Sequence, residues 1–179
     1  MRLFVALAIP DDVARSLLFL QGGIPGARWQ TREQLHLTLR FVGEVDGRRA
    51  ADIDDALMAI RAPGFQLTLH GVGTFGGRDP LQLWAGVRPN EALMHVQKKI
   101  ETALQRIGLA PEPRKYTPHV TLARLKASPR GKVMEYLSAH ALYASLPFGV
   151  GAFELCSSTL TPNGSRYTLE RQYPLEPLS

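Results

Sequence analysis

Pro118-His119-Val120-Thr121-Leu122-Ala123-Arg124 has a near copy upstream, Leu35-His36-Leu37-Thr38-Leu39-Arg40. Each reads His-x-Thr-Leu inside a short β-rich run. Successive side chains of a strand point to opposite faces. His36 and Thr38 therefore share one face, with Leu37 and Leu39 on the other. His119 and Thr121 repeat this over Val120 and Leu122. Each motif can bury two aliphatics while presenting an imidazole and a hydroxyl together. A lone strand histidine is most often a half-buried polar residue, so the second copy makes the pattern informative.

The elements around the motifs repeat as well. Residues 2–9 read as a strand, and Asp11 or Asp12 starts a helix to about Leu20, with Val13, Leu17 and Leu20 on one face. A brief strand near 27–30 precedes the first motif, which runs to Val42. Asp46 starts a helix to about Arg61, stopped by Pro63-Gly64. Residues 65–75 and 81–87 read as strands around a turn at Gly76-Gly77-Arg78-Asp79-Pro80. Asn90 caps the clearest helix, with Leu93, Val96, Ile100, Leu104 and Ile107 at helical spacing and Gly108 as its stop. Ser128-Pro129 opens another helix, to about Tyr143. Strands over 148–160 and 166–173 close the chain. The histidines lie 83 positions apart, and so do the strand starts Phe65 and Phe148. Each half reads strand, helix, His strand, helix, strand. The expectation is one bilobal α+β domain over 1–179, with repeats at about 1–78 and 79–162 and a closing strand at about 165–173. Its two antiparallel-rich sheets, with outer helices, face a central cleft in pseudo-twofold symmetry.

With 179 residues and 45% hydrophobic residues, the chain can bury an ordinary core. No apolar run has transmembrane length, so no membrane partner is expected. Met1–Ile9 is short, and Pro10-Asp11-Asp12 follows without a small-residue cleavage site, so it reads as a buried strand and not a secretion signal. Cys156 is the single cysteine and cannot form an internal disulfide; a core position and a cytoplasmic location are expected. The net charge of +5 suits a phosphate-bearing ligand or simply a basic surface.

An imidazole titrates near pH 6.5, so one histidine can act as base and another as acid. Placed on opposite sides of a phosphodiester, His36 and His119 can activate the attacking group and protonate the leaving oxygen, with no metal or cofactor required. Thr38 and Thr121 can donate to phosphate oxygens, and a guanidinium can stabilise the added charge. Arg40 has the parity of His36 and is expected in the cleft. Arg124 has the opposite parity to His119 and reaches a phosphate only if the strand ends or bulges after Leu122. Arg114 and Lys115 are further cations. Tyr116, Phe41 and Tyr167 can stack on a base. His70, His95 and His140 lack a partner motif and read as structural or surface residues. Gly71-Val72-Gly73-Thr74-Phe75-Gly76 matches a dinucleotide-binding glycine pattern, but no helix opens at its end to meet a pyrophosphate. Neither motif has a second ligand at zinc spacing, so no metal site is expected.

On these residues the chain resembles the 2H phosphoesterase superfamily, and within it the RNA 2′,3′-cyclic phosphodiesterases once described as 2′-5′ RNA ligases. The likeness covers Arg2–Ala6, His36–Gly43 and Arg114–Arg124. It ends in Ser158, Leu160, Gly164 and Tyr167 as Ser-x-Leu-x-x-x-Gly-x-x-Tyr. The resemblance implies a bilobal α+β fold and metal-free hydrolysis of a terminal 2′,3′-cyclic phosphate to a 2′-phosphomonoester. It implies that His36 protonates the leaving O3′ and His119 activates water. Thr38 and Thr121 would hold phosphate oxygens, and Arg124 matches a family arginine. Expected partners are RNA with 2′,3′-cyclic phosphate termini, such as tRNA fragments, or small cyclic nucleotides, bound by a monomer. The same residues also suit 2′-5′ RNA ligation, cleavage of 2′,5′-phosphodiesters, or RNA-end binding without catalysis.

Overall fold

Alternating aliphatics build the sheet and 3.6-residue spacing builds the helices that cover it. The computed structural model describes residues 1–177. Its elements are β1 (Arg2–Ala8), α1 (Asp11–Leu18), β2 (Ala27–Trp29), a 3-10 turn at Arg32–Gln34, β3 (His36–Glu44), α2 (Gly47–Met58), β4 (Phe65–Leu67) and β5 (Leu69–Phe75). There follow β6 (Gln82–Val87), α3 (Glu91–Arg106), β7 (His119–Leu125), α4 (Arg130–Ala139), β8 (Phe148–Val150), β9 (Ala152–Thr161) and β10 (Gly164–Pro174). The expected α+β class holds. The Asp46 carboxylate accepts from the Arg49 N–H at 2.8 Å, and the Asn90 amide oxygen from the Leu93 N–H at 2.9 Å, so both helices start where their caps predict. The fourth helix is shorter than its sequence suggests. Pro129 sits at the N-cap, Ala127 takes a left-handed φ of 51°, and regular helix ends at Ala139.

One core cluster joins the apolar faces of all four helices to Leu3, Val5 and Leu7 of β1, Leu37 and Leu39 of β3, Leu83 and Ala85 of β6, and Val120 and Leu122 of β7. On the opposite face Phe4, Ala6 and Cys156 form a second small cluster, covered by Tyr167. Among the described residues no helix is long and apolar enough to cross a membrane.

The sheet order is β10-β9-β1-β3-β7-β6-β5, with β2 alongside β7, and all these pairs are antiparallel. The two sheets expected for the two lobes are therefore continuous, joined where Leu37 pairs with Val120. The long strands expected at 65–75 and 148–160 each divide, at Thr68 and Gly151. Their first parts leave the main sheet and pair with each other, Gln66 opposite Gly149. In both junctions the central partners lie 83 positions apart, so each strand meets its own repeat copy about a local twofold axis.

A second matched feature governs the site. The register of β3 against β1 slips between Val5–Arg40 and Ala6–Thr38, leaving Leu39 as an extra residue. The register of β7 against β6 slips in the same way, leaving Leu122. A bulge reverses the parity of everything after it. Leu39 and Arg40 are consequently both buried, as are Leu122 and Ala123. This corrects the expectation that Arg40 faces the cleft. Its side chain is 7% exposed and ion-paired to Glu101, and its remaining donors meet the carbonyls of Phe41 and Ala110. Arg40 ties β3 to α3 and to the segment after α3. Replacing Glu101 by Gln removes the charge that Arg40 faces in the interior. Urea unfolding is expected to show a loss of about 3 kcal/mol, with substrate KM unchanged because no substrate contact is lost.

Candidate active site

Each histidine is anchored by the same device. Nδ1 of His36 lies 2.8 Å from the carbonyl oxygen of Gln34, and Nδ1 of His119 lies 2.7 Å from that of Thr117. A carbonyl only accepts, so in both rings the Nδ1–H donates and Nε2 is left as the reactive nitrogen. In the neutral ring, the Thr38 hydroxyl donates to Nε2 of His36, at 2.9 Å. In the second motif the Gln82 amide intervenes. Its nitrogen donates to the Thr121 hydroxyl at 2.6 Å and approaches Nε2 of His119 at 3.3 Å. The Leu37–Val120 pair brings the motifs together. One step along that register on either side sets His36 opposite Thr121 and Thr38 opposite His119.

Aromatic rings hold both imidazoles. Phe4 lies 4.9 Å from His36, and Tyr167 meets it edge-on at 5.0 Å. Phe75 meets His119 edge-on at 4.8 Å, with Trp84 at 6.2 Å. Gly73 leaves room for Trp84: a methyl group there would overlap the six-membered ring of the indole. Residues 71–75 of the glycine-rich stretch thus lie within β5, where Gly73 makes room for the Trp84 ring near His119, and Gly76 opens a turn and not a helix.

The Leu122 bulge returns Arg124 to the cleft face. It is exposed, and its strand neighbours are Gln82 on β6 and Arg28 on β2. Gln82 touches His119 and Thr121 directly, which fixes the face that Arg124 shares with it. Phe41 takes the matching place in the first motif, 58% exposed and 6.3 Å from Phe4, so it is free to stack. Tyr116 is not. Its hydroxyl donates to the Thr38 carbonyl at 2.9 Å and its ring packs on the core, so it fastens the approach to β7 onto β3. That corrects its expected place against a substrate base. Cys156 is buried, and burial together with the Glu154 and Glu170 charges pushes its thiol up to about 12, leaving it inert.

Gln82, Trp84, Phe75, Phe4 and Arg28 were not singled out by the sequence. For Gln82 and Trp84 a signal existed: both share the parity opposite to Leu83, Ala85 and Val87, on a strand that corresponds to β1. The register completes this correspondence, since Phe4 pairs with Phe41 where Gln82 pairs with Arg124.

Burial lowers the His36 pKa to about 4; the Gln34 carbonyl opposes the fall, and charge on the nearby His119 adds to it. Burial also lowers that of His119, against the pull of the Thr117 carbonyl. Both rings are neutral at pH 7 in the unliganded protein. The arrangement offers two neutral Nε2 atoms, two hydroxyls, one amide and one guanidinium on one face of adjoining strands, which suits an anion undergoing proton transfer at two of its oxygens.

A model of the 2'-5' RNA ligase superfamily matches residues 23–160. The chain is 32% identical to the RNA 2',3'-cyclic phosphodiesterase of Thermotoga maritima, over 93% of this chain and 91% of that one. It is 30% identical to the protein of the same name from Methanocaldococcus jannaschii, over 97% and 100%. Among solved structures, E. coli LigT in its apo form superposes with a TM-score of 0.80 at 25% identity, covering 98% of this chain and 97% of that one.

The depressed His36 pKa ties stability to pH. Between pH 6.5 and about 4 the unfolded chain takes up a proton that the folded His36 refuses, so stability is complete above 6.5 and falls as pH drops toward 4. Urea midpoints measured from pH 7 to pH 4 are expected to decline, by up to about 3 kcal/mol from this group. The decline should be shallower in His36→Ala.

Proposed function

The chain belongs to the 2'-5' RNA ligase superfamily, and we propose that it is an RNA 2′,3′-cyclic phosphodiesterase that opens terminal cyclic phosphates to 2′-phosphomonoesters. The observation that carries this reading is the matched anchoring of two histidines, each with Nδ1 on the carbonyl two residues before it, and with Nε2 on the Thr38 hydroxyl in the first motif and linked to Thr121 through the Gln82 amide in the second. The relatives named above carry that activity in their names. E. coli LigT, solved with 3'-AMP, offers a nucleotide precedent on the same fold.

In the proposed reaction Nε2 of His119 takes a proton from water as its oxygen attacks phosphorus. The P–O3′ bond breaks, and Nε2–H of His36 delivers its proton to the departing O3′. Thr38, Thr121 and Arg124 hold the non-bridging oxygens, where charge accumulates. The product keeps phosphate on O2′; His119 then returns its proton to solvent while His36 regains one. No step calls for a metal.

The depressed pKa values refine this scheme. His36 must carry a proton that burial disfavours in the free protein. A substrate anion beside it supplies the compensation, and the effect is larger for the more buried ring because charges interact more strongly where water is excluded. Substrate binding therefore converts two neutral imidazoles into an acid and a base.

A short RNA ending in a 2′,3′-cyclic phosphate, incubated with excess EDTA, tests the reading. The expected product is the 2′-phosphate at an undiminished rate, with turnover lost in both His36→Ala and His119→Ala while each variant stays folded by thermal melting. Turnover by either variant at the parent rate would remove that histidine from the mechanism. The kcat/KM optimum is expected below pH 6.5, because both pKa values lie below the ordinary imidazole value in the free enzyme; that of kcat is expected at higher pH. A flat profile between pH 5 and 8 would count against two-histidine chemistry.

A further inference from the structure

A cavity of about 240 Å³ opens beside His36. Tyr167 and Leu169 give it apolar walls over the buried ring of Phe4, and Glu154 supplies a carboxylate. That carboxylate is half-buried, and burial raises its pKa against the weak donation of the Cys156 thiol at 3.9 Å. Among the described residues no cation pairs with it. Arg32, on the same cavity, is occupied by Asp11 at 2.7 Å and the Ile9 carbonyl at 2.8 Å. Glu33, also at the cavity, is exposed. The fold thus holds a carboxylate that meets only a weak thiol donor, on one of its oxygens, in an aromatic-walled recess next to the proposed acid.

We propose that this recess receives the base of the terminal nucleotide and that Glu154 makes the enzyme prefer guanine. The proposal rests on the phosphodiesterase reading above. Guanine is the base whose Watson–Crick edge sets two donors side by side, N1–H and the N2 amino group, matching the two carboxylate oxygens. Adenine and cytosine offer one amino donor with a ring acceptor beside it, which the second oxygen repels. Uracil offers N3–H between two carbonyls. An apolar wall binds every base alike, so the ranking comes from the carboxylate. The position suits the chemistry, since the departing O3′ and the base belong to one nucleoside, and His36 and Glu154 line one cavity.

The test compares kcat/KM for the 2′,3′-cyclic phosphates of guanosine, inosine, adenosine, cytidine and uridine. Guanosine is expected to lead adenosine and cytidine by about tenfold or more, with uridine last. Inosine, which lacks only the N2 amino group, should fall several-fold below guanosine, an atom-level deletion that leaves the protein unaltered. In Glu154→Gln, shown folded by thermal melting, the guanosine lead should shrink to within about threefold, mainly through KM. Equal turnover of all five by the parent enzyme would overturn the guanine proposal and leave the phosphodiesterase reading standing. A guanosine lead that survives in Glu154→Gln would assign the preference to another residue and overturn the role of Glu154. No turnover of any cyclic phosphate, RNA-terminal or mononucleotide, would overturn both.

Discussion

Where Leu37 pairs with Val120, two strands that belong to different halves of the chain share a backbone junction, and the cleft exists because of it. The pairing buries two aliphatics on the helix side and leaves His36, Thr38, His119 and Thr121 as neighbours on the other. A one-residue slip of either strand would turn its own imidazole into the core. The junction does not stand alone. Gln66 and Gly149 repeat it in the small sheet, β2 crosses to lie on β7, and β1 pairs with β9 and β5 with β6, so strand pairing ties the halves together along the whole sheet.

The chemistry of the site follows from what surrounds the imidazoles. Aromatic packing excludes water and lowers both pKa values, which alone would make poor acids. The carbonyl of the residue two positions before each ring determines the tautomer, and so determines which nitrogen meets the substrate. Low polarity then works in favour of an anionic ligand, whose charge is poorly screened there. In the reaction proposed above, selectivity for an anion and generation of an acid are then the same event.

The histidine and threonine placements were legible because period-two alternation governs the first three residues of each motif. Beyond Thr38 and Thr121 the alternation fails. A bulge is a property of how two strands fit, and no residue type in Leu39-Arg40 or Leu122-Ala123 announces it. Arg40 therefore went to the interior, while Arg124 met the stated condition of a bulge after Leu122. Tyr116 misled for a related reason: an aromatic near a motif reads alike whether its hydroxyl meets solvent or a backbone carbonyl. The splits at Thr68 and Gly151 were invisible because pairing partners, and not local propensity, divide those strands. Gln82 and Trp84 were within reach had the correspondence between the first strands of the two halves been carried down to single positions.

The paired bulges bear on why one polypeptide holds both halves. Two identical chains related by this axis would have to present the same side chain after each bulge, and the same neighbour on the adjoining strand. Here one side carries Phe41 next to Phe4, and the other Arg124 next to Gln82. A cyclic phosphate is itself lopsided, with a nucleoside on one flank and water on the other. Covalent fusion of the halves is what permits a twofold scaffold to carry unlike flanks, aromatic beside His36 and cationic beside His119.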